Sequence, residues 1–389
     1  MNFQLSDEQE LMRDGIRKIA ADYDQSYWQE IHEEQRFPTE IYDDLAEGGW
    51  LGIVFPEEYG GEGLGLLDLV LLMEALSEEG AWEAAVGFVT GTVFGGLSVL
   101  AHGTDEQKRK YLPPIAAGEE TWALGVTEPD AGLNTTNIST SAERDGEEFV
   151  INGQKQFISG LDEAERMLLL TRTTPMAECD DPREGLTMFI VDPADDAIEY
   201  NEIPLDLYFP DRTFQVHITD LRVSEDQILG DEGNGMMQVF DTLNTERITT
   251  GAGALGAGLW CLDQAVNYAN ERVVWSEPIG AHQAIQHPLA DAHADLETAR
   301  LAVRKAAWQY DEGAGNVGEA ANVANLQAGK AAWNAAEAAM TTFGGMSASA
   351  EIGIAAAWGF LRHSRTAPVT EEMIRNYLGQ HVLGLPRSY

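Results

Sequence analysis

The apolar periodicity of this chain changes twice, from helical to strand-like near residue 118 and back to helical near residue 230. A chain patterned this way cannot close as one uniform layer. At 389 residues it also exceeds the length at which a single hydrophobic core keeps growing, so packed regions of different type are expected. Up to Gly118, helical runs such as LLDLVLLMEALSEEG and DEQKRKYLPPI alternate with turn signals at Glu47-Gly48-Gly49 and Tyr59-Gly60-Gly61. From Glu119 to Gly230 come short segments rich in β-branched and aromatic residues, namely EFVINGQKQFIS, RMLLLTRT, LTMFIVD and TFQVHITDL. Asp145-Gly146 predicts a two-residue type I′ hairpin turn, which needs positive φ. Beyond residue 230, Leu289, Ala292, Leu296, Ala299, Val303, Ala306 and Tyr310 step by three and four, the seam of a helix bundle. The alanine-crowded stretch from Val323 to Ala339 lets helices approach closely. The predicted class is α+β: a helical domain over 1–118, a mainly antiparallel β-domain over 119–230 and a helical bundle over 231–389.

Charge narrows the partners. The chain carries 65 carboxylates against 24 basic residues, a formal net charge of -41, and only six of the basic residues are lysines. No nucleic-acid partner is expected on that balance. Acid spread evenly over an otherwise ordinary globular composition predicts a surface suited to high salt, where screening falls to about 3 Å near 1 M and self-repulsion fades. The first residues, through Tyr23, read as an amphipathic helix capped by Ser6, with no apolar run of signal-peptide or membrane-span length. A cytoplasmic location and no membrane partner are expected. Cys179 and Cys261 lack disulfide-framework or metal-ligand spacing.

Three patterns mimic known sites. Gly251, Gly253 and Gly256 satisfy G-x-G-x-x-G, but no strand precedes them and no βαβ unit surrounds them, so close helix packing is expected. His282, His287 and His293 are spaced by five and six, which does not gather imidazoles on one helix face, so no metal site is expected. Gly60, Gly61, Gly63 and Gly65 form a glycine-rich turn with no Gly-Lys-Ser/Thr after it to cradle a phosphate.

Two further segments point to chemistry. LGVTEPDAGLN, from Leu124 to Asn134, ends a strand at Thr127, whose hydroxyl and neighbouring amides suit a polar ring edge, and Gly132 lets backbone approach a phosphate. GQKQFISG offers Phe157 as a stacking face. Together these resemble the flavin strand (T-E-P-x-A-G-S-D) and the W-I-T strand of the acyl-CoA dehydrogenase family, with Leu133 in place of the serine and Phe157 in place of the tryptophan. RVSEDQILGDEGNG resembles the family's exit from its β-domain. YANERVVWSEPIGAHQ resembles R-x-x-F-G-x-x-I-x-x-x-Q, with Trp275 and Ser276 replacing Phe and Gly, and TTFGGMS resembles Q-x-F-G-G-x-G. The resemblance spans essentially the whole chain.

It implies FAD, an acyl-CoA substrate, electron-transferring flavoprotein as acceptor and a homo-oligomer, specifically a tetramer. Implied FAD contacts are Leu124, Val126, Thr127, Gly132 and Leu133 on the first strand and turn, then Phe157, Ile158 and Ser159, with Ser159 near the flavin N5 edge. Thr370 and Glu372 are further implied contacts. Trp275 is another, and Arg272, Gln283, Phe343, Gly344 and Gly345 match positions that reach the FAD of a neighbouring subunit.

The reaction removes an α-proton while a β-hydride passes to the flavin, so it requires a positioned carboxylate. The family's usual base is the Glu of I-Y-E-G-T-S-E-I-Q-R, and the matching segment here reads TAPVTEEMIR, with Pro368 at that place. Proline supplies neither a carboxylate nor the N–H that polarises the thioester, whereas a one-residue shift in the match puts Val369 there and restores the amide. A minority of the family carries the base on a helix before an arginine, and NTERI supplies that arrangement: Glu246 as base, followed by Arg247, with Asn244 near the acyl-CoA. Glu371 and Glu372 are the reserve candidates. Alternatives to an active dehydrogenase are a catalytically silent FAD-binding subunit of a hetero-oligomer, or an acyl-CoA oxidase or flavin monooxygenase on the same scaffold.

Overall fold

The computed structural model describes residues 4–207 and 209–387, so the ends of the predicted outer domains lie outside the described residues. Helices α1 (Asp7–Ala21), α2 (Gln25–Glu34), α3 (Thr39–Glu47), α4 (Leu66–Glu78), α5 (Trp82–Phe88), α6 (Ser98–His102) and α7 (Asp105–Ala116) come first. Ser6 opens α1 through a reciprocal capping box with Gln9, which satisfies two backbone donors that a helix start otherwise leaves open. A π-helical stretch, Val89–Leu97, joins α5 to α6. The resulting segment Trp82–His102 is long and apolar enough to cross a membrane, but 83% of its apolar window is buried inside the protein, where it packs against the sheet and the C-terminal bundle.

Next come β1 (Trp122–Gly125), β2 (Ser141–Asp145), β3 (Glu148–Ser159), β4 (Arg166–Arg172), β5 (Leu186–Val191), β6 (Ile198–Glu202), β7 (Thr213–Ser224) and β8 (Ile228–Leu229). They form one sheet in the order β6-β7-β3-β2-β4-β5-β8, with β1 alongside β4. The sheet is mixed rather than simply antiparallel, because β1 runs parallel to β4, and β2 touches β4 in parallel at Ser141 and Arg172. A parallel pair needs a long crossover, and the β2–β3 hairpin between β1 and β4 provides it. That hairpin closes one residue later than the Asp145-Gly146 pair predicts. Asp145 pairs with Glu148, so Gly146 and Glu147 form the turn and only Gly146 has positive φ (71°), since glutamate resists the left-handed conformation a type I′ turn would impose there. In β4, Met167 and Leu169 face one apolar cluster while Leu168 and Leu170 face another, which is why this strand reads as a continuous apolar run.

The C-terminal bundle contains α8 (Gly235–Glu271), the hairpin β9 (Val273–Val274) and β10 (Glu277–Pro278), α9 (Gln283–Asp311), α10 (Val317–Phe343), α11 (Ile354–His363) and α12 (Glu371–Tyr377). The predicted seam on α9 is buried from Leu289 through Ala306. Gly251, Gly253 and Gly256 lie inside α8. A Cβ at Gly256 would sit 2.5 Å from the Glu74 carbonyl oxygen of α4, so the glycine permits close helix contact. Glu74, fully buried on α4, meets Arg13 of α1 at 3.4 Å and Arg300 and Arg304 of α9 at 3.1 and 2.8 Å, tying the first helices to the bundle.

Candidate active site

The end of β1 is held by its crossover neighbour β3. The Gln156 amide donates to the Thr127 carbonyl at 2.8 Å, and the buried Lys155 ammonium donates to the Val126 carbonyl at 3.1 Å and to Glu128 at 3.0 Å. Glu128 also accepts from the Ser139 amide and hydroxyl and from the Thr140 amide at 2.6–2.9 Å. Burial pushes the Glu128 carboxyl up, but Lys155 and these donors outweigh it and bring it to about 2. Burial draws Lys155 down to about 8, and its contact with Glu128 keeps it charged at neutral pH. This pair fastens the segment carrying Leu124, Val126 and Thr127 to the strand carrying Phe157, Ile158 and Ser159.

That second strand contains a bulge. Its register on β7 slips between Lys155–Val216 and Ile158–Phe214, and Phe157 within the slip has a φ of 59°. A left-handed aromatic residue is strained by roughly 1–2 kcal/mol. The extra residue reverses the alternation, so that Ile158 enters the core while Phe157 is 57% exposed. Ile158 therefore offers a ligand only its backbone, and Phe157 offers a ring face. Ser159 is half-buried opposite Thr213. In the turn after β1, Leu133 is 61% exposed and nothing lies within 4 Å of where a Cβ on Gly132 would be. Exposed apolar faces beside an open turn fit a flat aromatic ring with a phosphate tail, and these residues fit FAD.

Asn244, Glu246 and Arg247 lie on α8. Its backbone is pinned there by α10, because Asn325 donates to the Arg247 carbonyl at 3.2 Å and to the Thr250 hydroxyl at 3.3 Å. Arg247, also buried, donates to the Asn244 side-chain oxygen at 3.1 Å. Six acidic side chains are buried among the described residues: Glu74, Glu83, Glu128, Asp211, Glu246 and Glu371. Arginines neutralise Glu74 and Glu371, His32 faces Glu83 at 2.7 Å, and Lys155 faces Glu128. Glu246 and Asp211 alone among these six make no side-chain hydrogen bond or ion pair. Burial lifts Glu246 to about 8 against the opposing pull of Arg247. A buried carboxyl without a partner is expensive unless it has a use, so Glu246 is the prime candidate for acid–base work.

The reserve candidates are engaged or exposed. Glu371 is clamped between Arg365 and Arg375, and these arginines overcome the upward push of burial and lower its pKa. The side chain of Glu372 is 77% exposed, 3.5 Å from Arg375. Thr370 caps α12 by accepting from the Met373 amide, two residues after Pro368. Asp211, the other buried carboxyl without a partner among these six, was not singled out in the sequence. It precedes β7 beside Gly160, and burial, with Asp162 and Glu163 nearby, lifts it to about 7.

The remaining predicted residues gather at the far end of α8. Arg272 caps α8, exposed and without a carboxylate partner. The β9–β10 turn places Trp275 and Ser276 at φ 51° and 78°, and Trp275 is 89% exposed. Gln283 begins α9, and Gly344 and Gly345 are exposed. Phe343 is not exposed with them; its ring stacks on Tyr268 of α8, with centroids 4.4 Å apart. From Glu246 to Arg272 the helix climbs 26 residues, or about 39 Å at 1.5 Å per residue. The Glu246 and Arg272 clusters therefore belong to separate places on one chain.

Comparison with known proteins converges on one family. Residues 6–119, 123–207 and 233–383 match the N-terminal, middle and C-terminal domains of acyl-CoA dehydrogenases. The chain is 38% identical over 389 residues to acyl-CoA dehydrogenase FadE12 of Mycobacterium tuberculosis, covering 100% of this chain and 99% of that one. The structure of a glutaryl-CoA dehydrogenase–glutaryl-CoA complex superposes with a TM-score of 0.93 at 28% identity, covering 100% of this chain and 98% of the other. Butyryl-CoA dehydrogenase of Megasphaera elsdenii gives a TM-score of 0.90 at 27% identity, covering 98% and 100%. With its three regions matched in order and its full length aligned, the chain belongs to the acyl-CoA dehydrogenase family.

Proposed function

We propose that this chain oxidises an acyl-CoA thioester to the 2-enoyl-CoA with Glu246 as the base, and passes the electrons to electron-transferring flavoprotein. The observation that carries the proposal is the buried, unpartnered Glu246 carboxyl on α8. Family membership makes the chain an FAD-dependent oxidoreductase acting on CH–CH bonds. Bound FAD supplies the acceptor for the β-hydride. Thr127, the Gly132–Leu133 turn, Phe157 and Ser159 bind and orient it, and Glu246 removes the α-proton. A carboxyl lifted by burial is a stronger base than one in water, and exclusion of water keeps it so. The separation of about 39 Å along α8 supports Arg272, Trp275, Gln283 and Gly344–Gly345 serving the FAD of a second copy, and hence a homo-oligomer, for which the family resemblance suggests a tetramer.

The pH dependence tests the base. Glu246 is active when ionised, so kcat/KM for an acyl-CoA, measured with a dye acceptor in molar salt, should rise with pH through about 8 and level off above it. A profile flat between pH 6 and 9 would remove Glu246 from the role. Pro368 favours a second reading, a silent subunit, which takes over if the FAD-loaded chain is inactive on every acyl-CoA tried.

The net charge of -41 supports adaptation to high salt. The melting temperature should then rise between low and molar salt as repulsion among carboxylates is screened. An unchanged Tm removes that argument.

A further inference from the structure

In a chain with 65 carboxylates, an arginine without an acidic partner is conspicuous. Among the described residues the arginines lacking a carboxylate at ion-pair distance are Arg172, Arg247, Arg272, Arg362 and Arg387. Arg272, Arg362 and Arg387 are exposed, where water solvates the charge. Arg247 stands beside Glu246. Arg172 is half-buried at the end of β4, and neither the fold nor the proposed chemistry has yet given it a role.

Its guanidinium donates only to backbone carbonyls: Thr136 at 2.7 Å, Glu184 at 3.0 Å, Pro182 at 3.2 Å and Thr174 at 3.4 Å. Its Nε is buried without a partner. The Arg172 amide donates to the Thr140 carbonyl at 2.8 Å, anchoring the residue at the other end of the same turn segment. Within that segment the Thr135 hydroxyl donates to the Gly132 carbonyl at 3.2 Å and the Asn137 amide to the Asn134 carbonyl at 2.9 Å, so Gly132–Asn137 is a closed turn with Arg172 bonded to one of its carbonyls. Carbonyls satisfy hydrogens but do not neutralise a cation. The guanidinium therefore leaves a net positive charge beside the one open turn that follows β1, and burial without a carboxylate limits its screening.

We propose that Arg172 is a positioning residue for the FAD diphosphate, holding the Gly132–Asn137 turn through Thr136 and lending it an uncompensated positive charge. This rests on the reading that FAD lies against Gly132 and Leu133. Arg172 acts through the turn and through its field, without touching the cofactor.

The test compares FAD with riboflavin, which carries the isoalloxazine but no phosphate, binding to deflavinated protein in molar salt and at lower ionic strength. Arg172→Gln should weaken FAD by roughly tenfold or more while changing riboflavin by less than about twofold, and should flatten the dependence of FAD affinity on salt. Equal weakening of both ligands would make Arg172 a purely structural residue and overturn the proposal, as would no change in either. Thr174→Glu carries the test without removing the arginine, by placing a carboxylate next to a backbone carbonyl that the guanidinium already holds. It should lower FAD preference over riboflavin in the same sense, and an unaltered preference overturns the proposal even if Arg172→Gln fails to fold. The underlying reading fails separately, if the unmodified chain binds riboflavin as tightly as FAD or binds neither.

Discussion

Glu246→Gln is expected to lower turnover by at least about a hundredfold while leaving FAD content and assembly unchanged, because an α-proton cannot leave without a positioned acceptor. Gln keeps the volume of the side chain and removes only the base. The substitution also has a signature in stability. The folded pKa of Glu246, about 8, lies above the ordinary carboxylate value, so its contribution is fully present at low pH and is lost as pH rises toward 8. Glu246→Gln lacks that loss, so its stability relative to the parent should improve as pH rises from about 5 to 8, by something on the order of a few kcal/mol. Glu371→Gln should behave differently, losing stability because Arg365 and Arg375 lose their shared partner. If Glu246→Gln turns over normally and Glu371→Gln or Glu372→Gln does not, the base belongs to the C-terminal segment.

Lys155→Met should destabilise the protein by about 3–5 kcal/mol, the usual consequence of removing one member of a buried ion pair. Glu128 would remain buried at 4% exposure with its main cation gone, and the Val126 carbonyl would lose its donor. In the parent, Glu128 titrates near 2, below its ordinary value, so its stabilisation is complete above the unfolded pKa and disappears only as pH falls toward 2. Without Lys155, burial lifts the carboxyl. The deficit of the variant should then be largest at neutral pH and above, and smaller near pH 4, where the lifted Glu128 already carries a proton. Combining Lys155→Met with Glu128→Gln should recover part of the loss, since no unpaired charge then stays inside. Chemical denaturation across that pH range decides it, and a loss below about 1 kcal/mol for the single variant would mean the pair does not hold the two strands together.

The helical, β and helical order was legible in the sequence because periodicity is local: the α9 seam and the apolar run of β4 each depend on residues a few positions apart. The motifs around Thr127, Phe157, Arg272 and Gly344 were legible for the same reason, each being contiguous. Pairings across the chain were not. Lys155 and Glu128 are 27 residues apart and meet only because β3 folds back beside β1. The bulge that turns Phe157 outward arises from a mismatch with β7, which lies some 60 residues further along. Nothing in the sequence pairs Phe343 with Tyr268, 75 residues earlier, whose ring it stacks on. Glu246 and Glu371 look alike in sequence, each a glutamate near an arginine on a helix. Tertiary packing separates them by closing arginines around one carboxyl and leaving the other buried alone, because desolvation and pairing are set by neighbours in space.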